Sequence, residues 1–565
     1  MSRLESLASF PDNALTASPN RGPSIGEYLI RRLMDYGIKD VFGIPGDYVL
    51  SLYSMLQQSP LNIVGCTRED CAGFAADAYA RVNGMGALCV TYCVGGLSVC
   101  NSIAGAYAEK SPVVMITGSP GLGERINNPL LHHKVRDFHT QIDVFEKLCV
   151  AVTELNDPVI AFREIDRVLD AAARFKRPVY IDIPRDMVHV VPHISHLYQP
   201  TVTPCDKLAC CEAAEEAAAL LANCKKPLIL AGIEIHRFGL QDKVLALAEK
   251  LKIPMAATLL GKSVIPEKHP LYIGIYEGAM GQQEVTQMVE ESDCVLLLGA
   301  FMTDINLGIF TANLDPAKCI YVTSETLRIR HHHFHNVGLA QFIDELSRHA
   351  KSAPLREIPP VLSALAEHFT LAPSEPITIS RMIARVDQQI DDNTIVIADV
   401  GDALFSATEL TIHQRTEFIS PAYYTSMGFA VPATLGALVA RPDRRVIAFV
   451  GDGAFQMTGM ELSTIVRHKF DPIIVVLDNG GYGTERYLQT GKWPYNEIHP
   501  WRYAELTKVL SGGTGYEVST EGDFDSALTA AWNDRNGLSL IHVHLPHDDA
   551  SGGLRRLAQR LGERV

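Results

Sequence analysis

A chain of 565 residues is too long for one hydrophobic core, and its length alone suggests three or four domains. Hydrophobic content of 47% with 20% charged residues describes ordinary globular segments. A formal net charge of −15 argues against nucleic acid or an anionic membrane as a partner, and no apolar run approaches a membrane span.

Residues 1–22 lack an apolar core and carry acidic side chains, so they suit neither a signal peptide nor a transit peptide and read as a disordered tail of a cytoplasmic protein. Two Pro-rich stretches, 191–204 and 353–376, have linker composition and leave segments 23–192, 205–352 and 375–565. In the first segment a helix is expected after Gly73-Phe74-Ala75, then a strand over 87–92, a glycine-rich loop at Val94-Gly95-Gly96, a helix to Glu109 and a strand over 112–117. The middle segment offers strands over 227–231, 294–298 and 319–322 between helical stretches. His331-His332-His333 with His335 has no partner at metal-ligand spacing and reads as a solvated turn. Twelve cysteines, none in CxxC spacing, read as buried reduced thiols rather than disulfides or zinc ligands.

The third segment repeats the order of the first. After Gly428-Phe429-Ala430 come a helix, a strand over 445–450, the loop Gly451-Asp452-Gly453, a helix with Leu462, Ile465, Val466 and Phe470 on one face, and a strand over 472–477. The fold class expected is α/β in three domains: two duplicated α/β domains flanking a central Rossmann-like one. Two parallel strands joined by a crossover helix end on the same sheet edge, where open α/β folds bind ligands. That edge presents the Asp452 carboxylate, the Asn479 amide oxygen and glycine backbone leading into a helix. Hard oxygen ligands suit Mg²⁺ or Ca²⁺ and a helix start suits phosphate, so the edge reads as a metal–diphosphate cradle. A glycine turn alone is common punctuation. Asn479 at the next strand end, followed by Gly480-Gly481, makes the combination specific.

With that motif the chain resembles the thiamine-diphosphate enzymes, and its domain order resembles their pyruvate decarboxylase group. The resemblance implies a pyrimidine-binding domain over 23–192, a central domain over 205–352 and a diphosphate-binding domain over 375–565. Thiamine diphosphate and Mg²⁺ are the cofactors it implies. Asp452, Asn479 and the Gly481 carbonyl would hold the metal; Asp402, Gly451, Gly453, Ala454 and Phe455 would lie against the diphosphate and thiazolium; Met427 would prop the cofactor. Glu69, five residues before Phe74, would hydrogen-bond the pyrimidine ring and promote deprotonation of the thiazolium C2. Taken alone it is a helix-start carboxylate favoured by the macrodipole.

Asp47 in GIPGDY, the pair His132-His133 after a loop from the fifth strand, and Glu485, six residues beyond Asn479, are the remaining catalytic residues the resemblance implies. The histidine pair is a mark of pyruvate and indolepyruvate decarboxylases that acetohydroxyacid synthases lack. Gly480, Gly483 and Thr484 depart from the commoner form of the Glu485 loop. The implied activity is non-oxidative decarboxylation of a 2-oxo acid to an aldehyde. It implies a homodimer at minimum, with the site between two subunits, and by the family's pattern a homotetramer. The competing readings are pyruvate decarboxylase proper, a carboligase of the acetohydroxyacid synthase type and a non-catalytic thiamine-binding subunit; the last is opposed by intact Glu69, Asp452, Asn479 and Glu485. Pyruvate-specific relatives narrow the pocket with aromatic rings where this chain has Ile305, Leu404 and Leu557, and Thr484 and Leu488 complete the wall. Each could be apolar core filler. Together they predict substrates larger than pyruvate: phenylpyruvate, indolepyruvate, or branched and long-chain 2-oxo acids.

Overall fold

The computed structural model describes residues 22–201, 205–351, 369–414, 417–489 and 491–561. The tail expected over 1–22 lies outside these but for its last residue, as does most of the linker expected over 353–376. The chain packs as two compact units: one holds residues up to Thr201 apart from Asp77–Val82 and Gly105–Ser111, and the other holds those two pieces and everything from Val202 onward.

The first unit is built on a parallel sheet of β1 (Asp40–Gly43), β2 (Asn62–Gly65), β3 (Gly86–Val90), β4 (Val113–Ser119), β5 (Ala151–Glu154) and β6 (Val179–Pro184), in the order β2-β1-β3-β4-β6-β5. The second unit contains two sheets. One consists of β7 (Pro227–Ala231), β8 (Met255–Thr258), β9 (Tyr272–Tyr276), β10 (Cys294–Leu298), β11 (Cys319–Val322), β12 (Leu327–Ile329) and β13 (His332–Phe334), in the order β13-β12-β11-β10-β7-β8-β9. Only β12 and β13 run antiparallel to their neighbours. The other consists of β14 (Thr394–Ala398), β15 (Glu417–Ile419), β16 (Arg445–Gly451), β17 (Ile473–Asp478), β18 (Thr514–Val518) and β19 (Ser539–His544), all parallel, in the order β15-β14-β16-β17-β19-β18.

Counted from its own first strand, the third sheet has the same order as the first, which is the topological counterpart of the repeated sequence pattern. β3, β4 and β6 are buried along their whole length, and β16 and β17 along all but their last residue. Such unalternating Val/Ile/Leu runs are what a parallel sheet covered by helices on both faces requires. Among the described residues no helix is long and apolar enough to cross a membrane.

The strands of the middle segment fall at the expected residues, while several other elements differ from expectation. Gly73-Phe74-Ala75 lies inside the helix Glu69–Asn83 rather than before it, because Gly73 lets that helix approach Ser102 closely: a Cβ there would meet the Ser102 hydroxyl. Its echo Gly428 has a φ of +84° and precedes the helix Ala430–Ala440. Val94-Gly95-Gly96 is the start of a short helix, Val94–Ser98. The single helix expected after Gly453 is broken into Asp452–Thr458, a 3₁₀ turn and Leu462–Arg467, so Phe470 lies beyond it. The His331–His335 run forms the turn and second strand of the β12–β13 hairpin, with His332 exposed and paired to Glu216. Strands of three residues are too short to show a period of two.

Candidate active site

In the third sheet the chain leaves β14 toward β15 on one side and resumes at β16 on the other, so the loops after β14 and β16 diverge and open a crevice at the carboxyl ends of the strands. Gly401-Asp402 follows β14, Gly451 to Ala454 ends β16, and Asn479 to Glu485 follows β17. These loops line a cavity of about 330 Å³. Every expected cofactor and pocket residue from Ile305 onward lines it except Phe455. The Phe455 ring is fully buried, edge-on to Tyr503 at 5.3 Å between centroids, and belongs to the core.

Asp452 and Asn479 are brought together by neighbouring strands, β16 and β17. One Asp452 oxygen, Oδ1, accepts the Gly453 N–H at 2.7 Å. The other, Oδ2, and Asn479 Oδ1 are both buried without a hydrogen-bond partner. Buried polar atoms are nearly always paired, so two orphaned oxygens at one sheet edge point to a missing partner. Burial, with the Asp478 charge adding to it, pushes Asp452 up to about 7, as expected of a carboxylate lacking a counter-charge. Burial would raise Asp478 too, but the His542 ring, 2.7 Å away through Nε2, holds it down. Two oxygen donors with a carboxylate among them are the chemistry a hard divalent cation takes, so the residues fit Mg²⁺.

Gly481, the third expected ligand, has a φ of +152°, and a Cβ on it would fall on the Asn496 carbonyl oxygen. Its own carbonyl accepts the Gly483 N–H at 3.0 Å, which leaves one lone pair for a cation. Gly481→Ala is therefore expected to cost about 1–3 kcal/mol from backbone strain alone. Denaturant unfolding of the variant, with thiamine-diphosphate affinity measured in parallel, checks this; unchanged stability contradicts it.

Asp402 does not face the cavity as a free carboxylate. Its oxygens accept from the Ser551 N–H, at 2.9 Å, and from the Ser551 hydroxyl, tying the helix Gly552–Leu561 to the loop after β14. Burial pushes Asp402 up to about 6. Ser551 was not legible in the sequence as a site residue. Glu485 lines the cavity and is exposed on its outer part, and desolvation holds its carboxyl above the ordinary value. The apolar wall joins two core clusters: Ile305 packs both against the one holding Leu404, 2% exposed, and against the one holding Leu557, 3% exposed.

In the first unit, Asp47 and the histidine pair meet. His132 Nε2 lies 2.7 Å from Asp47 Oδ2, and the Tyr48 ring stacks on His132 at 4.8 Å between centroids. His133 has a φ of +66°, which sets its ring nearly perpendicular to that of His132, 4.9 Å away. Its Nδ1 is buried without a partner. The pair follows β4, the fourth strand, not a fifth. Glu69 is half-buried at the start of its helix. Tyr48, which props His132, escaped the sequence reading although it adjoins Asp47.

Three family models match the chain: the N-terminal TPP binding domain of thiamine pyrophosphate enzymes over residues 23–144, their central domain over 214–348, and their C-terminal TPP binding domain over 399–543. Fold and matches together define a three-domain thiamine-diphosphate enzyme. Among curated relatives, an indole-3-pyruvate decarboxylase of Azospirillum brasilense is 34% identical over 95% of this chain and 98% of its own. Pyruvate decarboxylase 3 of Arabidopsis thaliana is 32% identical over 98% and 96%. An alpha-keto-acid decarboxylase of Mycolicibacterium paratuberculosis is 34% identical over 93% and 94%. The chain belongs to the thiamine-diphosphate-dependent 2-oxo acid decarboxylases and is a carboxy-lyase.

Proposed function

We propose that this enzyme decarboxylates 2-oxo acids bulkier than pyruvate to aldehydes, with Mg²⁺ anchoring its thiamine diphosphate. The observation that supports the substrate class is the cavity wall, where Ile305, Leu404, Leu488 and Leu557 are all aliphatic. Each additional buried methylene contributes about 0.8 kcal/mol, so a longer substrate side chain gains several-fold per carbon where space exists.

Thiamine diphosphate, when bound, supplies the electron sink for loss of CO₂. The protein's part is to hold, orient and move protons. Asp452 Oδ2, Asn479 Oδ1 and the Gly481 carbonyl would hold the cation, Gly451, Gly453 and Ala454 would offer backbone to the diphosphate, and Met427 would support the cofactor. Glu69 would hydrogen-bond the pyrimidine ring. Glu485, whose carboxyl is held above its ordinary value by desolvation, would serve as the proton donor to the substrate. The aliphatic wall keeps water from the reacting carbon.

The cavity lining contains Glu485 but no histidine. By the family resemblance, the Asp47–His132–His133 cluster of one copy would serve the cofactor site of a second, with a homodimer as the working unit and a homotetramer as its doubling. The chain's three segments, 23–192, 205–352 and 375–565, would act as pyrimidine-binding, central and diphosphate-binding domains.

Pyruvate as the preferred substrate is the competing reading, supported by the Arabidopsis pyruvate decarboxylase at nearly the same identity as the bacterial indole-3-pyruvate enzyme. Replacing Leu404 by Trp tests the wall directly. Leu404→Trp should lower kcat/KM for phenylpyruvate by about 10-fold or more, the cost of excluding a few methylene equivalents, and leave pyruvate turnover equal or improved. An unchanged ratio between the two substrates removes Leu404 from the pocket.

A further inference from the structure

The segment that carries β7 to β13 holds a side-chain cluster the reaction does not use. The helix Lys207–Asn223 precedes these strands and the helix Leu339–His349 follows them. Cys211 and Glu215 stand one turn apart on the first helix, and Glu345 and His349 one turn apart on the second, so each pair shares a face. The two pairs meet. Cys211 Sγ lies 3.5 Å from His349 Nε2 and 3.7 Å from Glu215 Oε1. With one ligand atom taken from each, Cys211, Glu215 and His349 all lie within 4.8 Å of one another, and Glu345 Oε2 lies 3.9 Å from His349 Nε2. Ligands bound 2.0–2.3 Å from a tetrahedral zinc stand roughly 3.3–3.8 Å apart, the spacing already found between Cys211 Sγ and its two neighbours, 3.5 Å to His349 Nε2 and 3.7 Å to Glu215 Oε1.

We propose that Cys211, Glu215, Glu345 and His349 form a Zn²⁺ site that clamps the first and last helices of the central segment together. Sulfur and imidazole donors favour zinc over Mg²⁺ or Ca²⁺, which take oxygen alone. Cys211, Glu215 and His349 supply three donors and Glu345, beside the His349 ring, would take the fourth position, which makes the site closed and structural rather than catalytic. Metal binding breaks the Cys211 S–H bond, forms the Zn–S bond and releases the thiol proton to solvent. Glu345 is paired with Arg348, whose side chain is 70% exposed, and a surface pair of this kind yields readily to a metal. The sequence shows no CxxC because the donors come from two helices more than a hundred residues apart.

The test uses the full chain, stripped with a chelator, reloaded with thiamine diphosphate and Mg²⁺, and titrated with Co²⁺. One equivalent per chain should produce a thiolate-to-cobalt charge-transfer band in the near ultraviolet, and Zn²⁺ should abolish it by displacement. A Co²⁺ ion on the oxygen ligands of the Mg²⁺ site gives no such band. Cys211→Ser and His349→Ala should each remove the band and the rise in thermal midpoint that Zn²⁺ brings to the wild type, leaving aldehyde release unchanged. The proposal is overturned if the wild type shows no band, or if the band survives in both variants and so belongs to another of the twelve cysteines.

Discussion

Asp452→Ala should lose thiamine-diphosphate retention and decarboxylase activity together, with activity falling to background. The carboxylate has one oxygen on the Gly453 N–H and one buried without a partner beside the equally unpartnered Asn479 oxygen. Removing it leaves a single side-chain donor where a divalent cation needs several. The fold should survive, because Asp452 sits at the end of β16 and contributes to no hydrophobic cluster. Titration calorimetry in Mg²⁺ measures the cofactor affinity and circular dichroism the fold. A folded variant that binds thiamine diphosphate with wild-type affinity would overturn the metal assignment.

The second large effect is expected at Glu69. Glu69→Gln keeps the size and the hydrogen-bonding of the side chain but not its charge or its proton. Exchange of the bound cofactor's C2 proton with solvent deuterium should slow by about 10²–10⁴-fold, the range for a general acid–base group. Cofactor affinity should change far less, since the residue contributes neither to the cation nor to the diphosphate. Glu485→Gln provides the contrast: its cofactor should bind and exchange normally while aldehyde release stalls. Fast exchange in the Glu69 variant would return that carboxylate to the plain role of a helix-start charge.

The site was legible in the sequence where chemistry lies at strand ends. Asp452 and Asn479 follow two apolar runs that form adjacent buried strands, and their separation is set by one helical crossover, broken by a 3₁₀ turn. The central strands were equally plain, since Pro227–Ala231 and Cys294–Leu298 are apolar throughout, each preceded by a charged residue and followed by a glycine. What escaped depends on partners distant in the chain. Asp402 announces itself as a carboxylate after a glycine, but nothing local says that Ser551 will occupy both its oxygens. Phe455 follows the glycine loop as a cofactor neighbour would, yet its ring turns inward to Tyr503. The helix after Gly453 breaks where Gly459 lies against the Phe455 ring, a contact that periodicity does not encode. The same holds for the Cys211–His349 pairing: each helix shows an ordinary i,i+4 pair, and only packing brings the two together.

The account stands on the claim that an aliphatic cavity wall around the Asp452–Asn479 edge selects large 2-oxo acids. The most direct measurement is kcat/KM for aldehyde release by the wild-type enzyme, loaded with thiamine diphosphate and Mg²⁺, across pyruvate, branched and long-chain 2-oxo acids, phenylpyruvate and indolepyruvate. At about 0.8 kcal/mol per buried methylene, the best large substrate should exceed pyruvate by about 10-fold or more. A wild-type enzyme with its highest kcat/KM for pyruvate would contradict the account.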